Sequence, residues 1–150
     1  MFAPRRILVP TDFTEDSDRA LREAIDIAAA SGGKVILLHV DPSVPFVVGE
    51  SVVEQKVVVA VEENDERISR ERMLEEIRKV SPQANIEIEI EERHGVTFEE
   101  IQAFMRDKRI DLVVIEPHVK KGMRRSLLGG VTNRLVKEAT CPMLVLPAMA

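Results

Sequence analysis

The chain has one cysteine, Cys141, and no tryptophan or tyrosine, so five phenylalanines are its only aromatic residues. One cysteine excludes an intramolecular disulfide framework and a cysteine-based zinc site, and it fits a reducing compartment. The lack of Trp and Tyr leaves few platforms for stacking bases. A formal net charge of −5 opposes nonspecific nucleic-acid binding, which depends on neutralising phosphates. No apolar run approaches the ~20 residues of a membrane-spanning helix, and the N-terminus has no signal-peptide core. The expectation is a cytoplasmic protein with no nucleic-acid and no membrane partner. The three histidines, at 39, 94 and 118, have neither helical nor hairpin metal spacing, so no metal is expected. There is no Walker A sequence, no G-x-G-x-x-G, no nucleophile elbow and no paired acid–base constellation, which disfavours a dedicated enzyme.

What is present is an alternation of short apolar runs and helical patterns in 150 residues, a length that suits one domain spanning residues 1–150. Ile7-Leu8-Val9-Pro10-Thr11-Asp12 reads as a first strand. Thr14 is placed to cap a helix from Glu15 to about Ala30, with Ala20, Leu21, Ala24, Ile27 and Ala28 at helical spacing and Ser31-Gly32-Gly33 as its stop. Lys34 to Val40 is a second, continuously apolar strand. Residues 43–61 stay open between strand, helix start and lid, and the Val57–Val61 run reads as core or interface. Glu62 to Val80 is a charged helix with Ile68, Met73, Ile77 and Val80 on one face. Ile86, Ile88 and Ile90 alternate with glutamates, as in a strand buried on one face only, which belongs at a sheet edge. Thr97 and Glu100 spell a capping box for a helix through Lys108. Asp111-Leu112-Val113-Val114-Ile115 is a buried parallel strand, a basic loop follows (Lys120, Lys121, Arg124 and Arg125 around Gly122), and Gly129-Gly130 opens a helix from Val131 to Ala139. Met143 to Leu146 is the last strand.

This order implies an α/β doubly wound fold: a five-stranded parallel sheet in the order 3-2-1-4-5 with right-handed crossovers and helices on both faces. The chain changes direction between strands one and four. Their C-terminal ends form the switch point where ligands bind in such sheets, lined by Pro10-Thr11-Asp12 and by Glu116 through Gly130. A strand, a glycine-bearing loop and a helix N-terminus together present free N–H groups and a positive dipole end to an anion.

Four stretches, I-L-V-P-T-D-F-T at 7–14, L-L-H-V at 37–40, D-L-V-V-I at 111–115 and G-M-R-R-S-L-L-G-G-V at 122–131, together with C-P-M-L-V-L-P at 141–147, resemble the universal stress protein family of the UspA type along essentially the whole chain. The resemblance implies an adenine nucleotide alpha hydrolase-like fold, a crevice for ATP or AMP and a homodimer joined through the last strand, Met143–Leu146. It matches Asp12 to an acid near the nucleoside and Val40 to a backbone that contacts adenine. The family's nucleotide-binding pattern, Gly-x2-Gly-x9-Gly-Ser/Thr, falls on Glu116, Val119, Gly129 and Gly130, and only Gly129 fits. Val119 is β-branched and resists positive φ, and Glu116 sets a carboxylate beside a polyphosphate. The candidate site is therefore Pro10, Thr11, Asp12, Val40, Glu116, His118, Val119, Arg124, Arg125, Gly129, Gly130, Val131 and Thr132, with its nucleoside half intact and its phosphate half degenerate.

Each of these residues has a plainer role to weigh. Asp12 can cap the turn after the first strand, and Glu116 can be a strand-end carboxylate in water. Lys120 and Lys121 read as a solvated face, His39 as a satisfied core histidine, His94 as a surface residue and Cys141 as a small hydrophobe. The two functions carried forward are a homodimeric stress-response module with a degenerate adenine-nucleotide crevice and a functional ATP- or AMP-binding stress sensor, with slow ATP hydrolysis at most.

Overall fold

A computed structural model describes residues 1–42, 52–81, 85–117 and 129–147, with the helical stretch 52–65 described as backbone only. Strands and helices alternate along these residues: β1 (Arg6–Thr11), α1 (Glu15–Ser31), β2 (Lys34–Asp41), α2 (Val52–Val80), β3 (Ile88–His94), α3 (Thr97–Asp107), β4 (Leu112–Ile115), α4 (Gly129–Lys137) and β5 (Met143–Val145). The five strands form one sheet in the order β3-β2-β1-β4-β5, and every neighbouring pair is parallel. The order inferred from the alternating isoleucines is therefore the order observed.

Side chains of successive strand residues point to opposite faces, and this divides the core in two. Ile7 and Val9 of β1, with Val35, Leu37, Leu112 and Val114, meet Ala20, Leu21, Ala24, Ile25 and Ala28 of α1 and Met73 of α2. Leu8, Ile36, Leu38, Val113 and Ile115 meet Phe98, Ile101, Phe104 and Met105 of α3 and Leu135 of α4. β1 and β2 are apolar on both faces because both faces are covered. β3 has one covered face, and Ile86, Ile88 and Ile90 lean on the α1/α2 side.

Several boundaries differ from the expected ones. α2 starts at Val52, not Glu62, so Val57–Val61 is helical, and the side chains of that run lie outside the described residues. Ile68 is exposed, while Met73 is buried and Ile77 and Val80 pack beside it. β3 runs from Ile88 to His94, two residues later than its isoleucine pattern begins. α4 starts at Gly129 and ends at Lys137. β5 ends at Val145, though the Leu146 N–H still bonds the Ile115 carbonyl at 2.9 Å.

Neither expected helix cap forms. Thr14 stands at the N-cap of α1 without a side-chain cap bond, because its hydroxyl donates to Asp12 Oδ1 at 2.5 Å. The T-x-x-E pattern at 97–100 is not a capping box: Thr97 is already helical and Val96 is the N-cap. The Gly95 N–H is held by the Asp41 carbonyl at 3.0 Å, and the chain enters the helix one residue sooner than the motif requires. The Gly32 stop of α1 is as expected, left-handed at φ 76° with its N–H on the Ala28 carbonyl.

Candidate functional site

The C-terminal ends of β1 and β4 are neighbours, as the sequence implied. Their ladder pairs Ile7 with Leu112 and Leu8 with Val113 and then stops. Beyond it stands Pro10, which has no N–H to offer a neighbouring strand. β1 continues against β2 alone, with Pro10 opposite Leu38 and Thr11 opposite His39. The sheet parts at the predicted switch point.

A groove of about 500 Å³ opens beyond the end of β2, lined by Pro42, Gly95, Val96, Thr97, Phe98, Gly130, Val131 and Arg134. It joins the exit of β2 to the N-terminal turns of α3 and α4. The first turns of two helices therefore border one concavity, an arrangement suited to an electron-rich ligand. Gly130 is exposed, and among the described residues a Cβ added there would meet nothing within 4 Å. Arg134 reaches back across the groove, with its guanidinium 3.9 Å above the Phe98 ring and its Nε 3.3 Å from Glu138.

Of the predicted site residues, Gly130 and Val131 line this groove. Gly129 opens α4, and Thr132 is buried in its first turn. Val40 is buried at the end of β2, one residue from Asp41 and two from the groove-lining Pro42. Pro10 marks the parting of the strands. His118, Val119, Arg124 and Arg125, with Lys120, Lys121 and Gly122, lie outside the described residues.

Two predicted residues are otherwise engaged. Thr11 is at the tip of β1, but its hydroxyl faces α2, 3.0 and 2.8 Å from the two carboxyl oxygens of Glu76, and accepts the Phe13 N–H at 3.0 Å. Asp12 is exposed and caps the turn into α1: its Oδ1 accepts from Thr14 Oγ1 at 2.5 Å, Ser17 Oγ at 2.6 Å and the Thr14 N–H at 3.2 Å. The next residue, Phe13, takes a left-handed φ of 64°, unusual for a non-glycine, which brings its ring 4.5 Å from His39 and beneath the Arg72 guanidinium at 4.1 Å.

Glu116 corrects the expectation of a solvated strand end. Its side chain is wholly buried and ion-paired to Arg19 Nη1 of α1, which also donates to the Pro147 carbonyl at 3.2 Å. The other oxygen, Oε2, is buried with no hydrogen-bond partner among the described residues. Burial pushes the carboxyl up to about 7, with Arg19 pulling down and Asp16 pushing up. Glu76 of α2 is also raised to about 7, by burial first, against the Thr11 hydrogen bond and with Asp18 adding to the rise.

Sequence reasoning missed Arg19 and the α3 side of the groove. Gly95 signalled the turn correctly, with φ 140°, but not that the helix it launches would face Gly130. Among the plainer roles, His39 is satisfied, with Nδ1 2.9 Å from both Glu92 oxygens. Cys141 packs against the α3/α4 core, and burial raises its thiol pKa. His94 is not a bare surface residue; Glu66 lies 2.9 Å from its Nε2.

Comparison with known proteins agrees with this architecture. The universal stress protein family model matches residues 4–147. Universal stress protein MJ0531 of Methanocaldococcus jannaschii is 33% identical over 143 residues, covering 94% of this chain and 81% of that one. Among solved structures, the universal stress protein UspA of Lactobacillus plantarum superposes with a TM-score of 0.76 at 20% identity, covering 95% of this chain and 97% of that one. A universal stress protein solved in complex with cAMP superposes with a TM-score of 0.71 at 19% identity, covering 97% and 98%. The chain belongs to the universal stress protein family.

Proposed function

We propose that this protein is a homodimeric, cytoplasmic stress-response module whose crevice receives the nucleoside part of an adenine nucleotide, ATP or AMP, and gains little from its phosphates. One observation carries the reading: where nucleotide-binding relatives have the first glycine of their phosphate pattern, this chain has Glu116, buried and tied to Arg19. A buried carboxyl there adds bulk and, when ionised, repels phosphate. The nucleoside side fits better. Val40 is buried one residue before the end of β2, Asp12 follows the β1 tip, and a relative of the same fold has been solved with cAMP.

A second reading, a nucleotide sensor with an effective phosphate site, draws support from the start of α4. Gly130 there lines the groove without a Cβ in the way of its N–H. Thermal-shift titration with ATP, AMP and inorganic phosphate separates the two. A ligand at 100 times its Kd stabilises by about 2.7 kcal/mol, or roughly 5–10 °C for a chain of this length. Equal shifts with AMP and ATP, and none with phosphate, are expected. A much larger shift with ATP would favour the sensor. No shift with any nucleotide would leave a scaffold acting through its interfaces. The dimer is proposed through β5, whose three apolar residues have β4 as their sheet neighbour on one side.

A further inference from the structure

A second group of polar side chains stands at the ends of β2 and β3, on the sheet face that carries α2. Thr11 lies on that face, since it reaches Glu76. The register sets His39 beside Thr11, Glu92 beside His39 and His94 beside Asp41, so strand alternation gives all of them the same face. One carboxylate oxygen each from Asp41 and Glu92 and one ring nitrogen of His94 lie within 4.8 Å of one another. The side chains are enclosed to a similar degree, 18% exposed for Asp41, 12% for Glu92 and 31% for His94.

The spacing and the surroundings both suit a shared cation. His94 Nδ1 and Asp41 Oδ2 are 3.8 Å apart, too far for a hydrogen bond. Two ligands each about 2.1 Å from a tetrahedral ion are themselves about 3.4 Å apart, which is close to that separation. On the other side of the ring, Nε2 lies 2.9 Å from Glu66 of α2. An N–H donated there fixes the tautomer and leaves the lone pair on Nδ1, the nitrogen nearer Asp41, the relation that commonly orients a metal-bound histidine. Glu92 is oriented in turn by His39, whose ring Phe13 holds at 4.5 Å. The Gly95 N–H on the Asp41 carbonyl ties the two strand ends together. Arg93, between Glu92 and His94, is directed to the opposite face, 5.3 Å over the Phe104 ring.

We propose that Asp41, Glu92 and His94 form a binding site for a first-row divalent metal ion, with Glu66 and His39 orienting two of its three ligands. One nitrogen and two carboxylates suit Zn2+ better than the all-oxygen shells of Mg2+ or Ca2+, and three protein ligands leave at least one coordination position for water or a bound anion. The triad adjoins the groove through the sequence neighbours Pro42 and Gly95.

Isothermal titration of the full chain with Zn2+, and separately with Mg2+, tests this. One Zn2+ per chain is expected, weakened at least tenfold in His94→Ala and in Asp41→Asn and about tenfold in Glu66→Gln. Mg2+ should bind far more weakly and without regard to His94. Asp41→Asn and Glu92→Gln keep side-chain shape, and circular dichroism of each variant separates lost binding from lost fold. Absence of saturable Zn2+ binding, or an affinity unchanged in folded Asp41→Asn and Glu92→Gln, would overturn the proposal and leave a histidine held between carboxylates as an ion pair.

Discussion

Two carboxyls, Glu76 and Glu116, end up buried on the sheet face that carries α1 and α2, each raised from an ordinary 4.5 to about 7. Between those values the folded chain holds protons that the unfolded chain releases. Their contribution to stability is therefore complete below about 4.5 and lost as pH rises through about 7. The two groups make the protein less stable at pH 8 than at pH 5, by about 1–3 kcal/mol each. Glu76→Gln removes one of them while keeping an acceptor for Thr11. Urea unfolding at the two pH values should show a shallower decline in that variant and a higher midpoint than the parent at pH 8; an unchanged slope would mean that Glu76 stays ionised in its contact with Thr11. Neither burial was legible in the sequence. Glu116 follows four apolar strand residues and precedes a proline, a setting as common for solvated acids. Its burial depends on Arg19, a partner 97 positions away that no local pattern announces.

At the scale of elements, what was legible is what periodicity controls. The isoleucines at 86, 88 and 90 predicted one covered face, and that face packs on the α1/α2 core. Caps were less legible because they are decided by competition. The Thr14 hydroxyl had two places to go and took Asp12, and Thr97 lost its role when Gly95 was pinned to β2. The turn from α1 to β2 is more tightly constrained. A Cβ on Gly33 would sit 2.5 Å from the Pro4 carbonyl oxygen and 3.0 Å from Arg5 Cα, both backbone atoms that cannot swing aside. Gly33→Ala must therefore separate β2 from the entry to β1. It should cost about 2 kcal/mol or more in chemical denaturation, and a loss under 0.5 kcal/mol would show that the turn yields freely.

For the molecule as a whole, composition and alternation carried the topology because each strand's neighbours follow from which faces must be covered. Of the groove's lining only Gly130 and Val131 were among the expected residues, since the exit of β2 and the N-terminal turn of α3 join it only through the fold. Among the described residues no helix is long and apolar enough to cross a membrane. The outer strands meet the problem of an exposed edge in different ways. β3 carries glutamates, one of them paired to Lys34 at 2.5 Å, whereas β5 is Met-Leu-Val. If β5 joins two copies, Val145→Lys should raise the monomer fraction in sedimentation velocity without unfolding the chain. A dimer that persists unaltered would place the interface elsewhere.

The central strand is also made before the other four, while one of its two neighbours comes late. Ile7 pairs with Leu112, 105 residues downstream. At synthesis rates of about 5–20 residues per second, β1 waits roughly 5–20 seconds with one side unzipped. During that interval the nascent chain displays Ile-Leu-Val to anything that captures apolar strands. Its yield in a cell should therefore depend on trigger-type chaperones at the exit tunnel far more than the finished protein's resistance to heat would suggest.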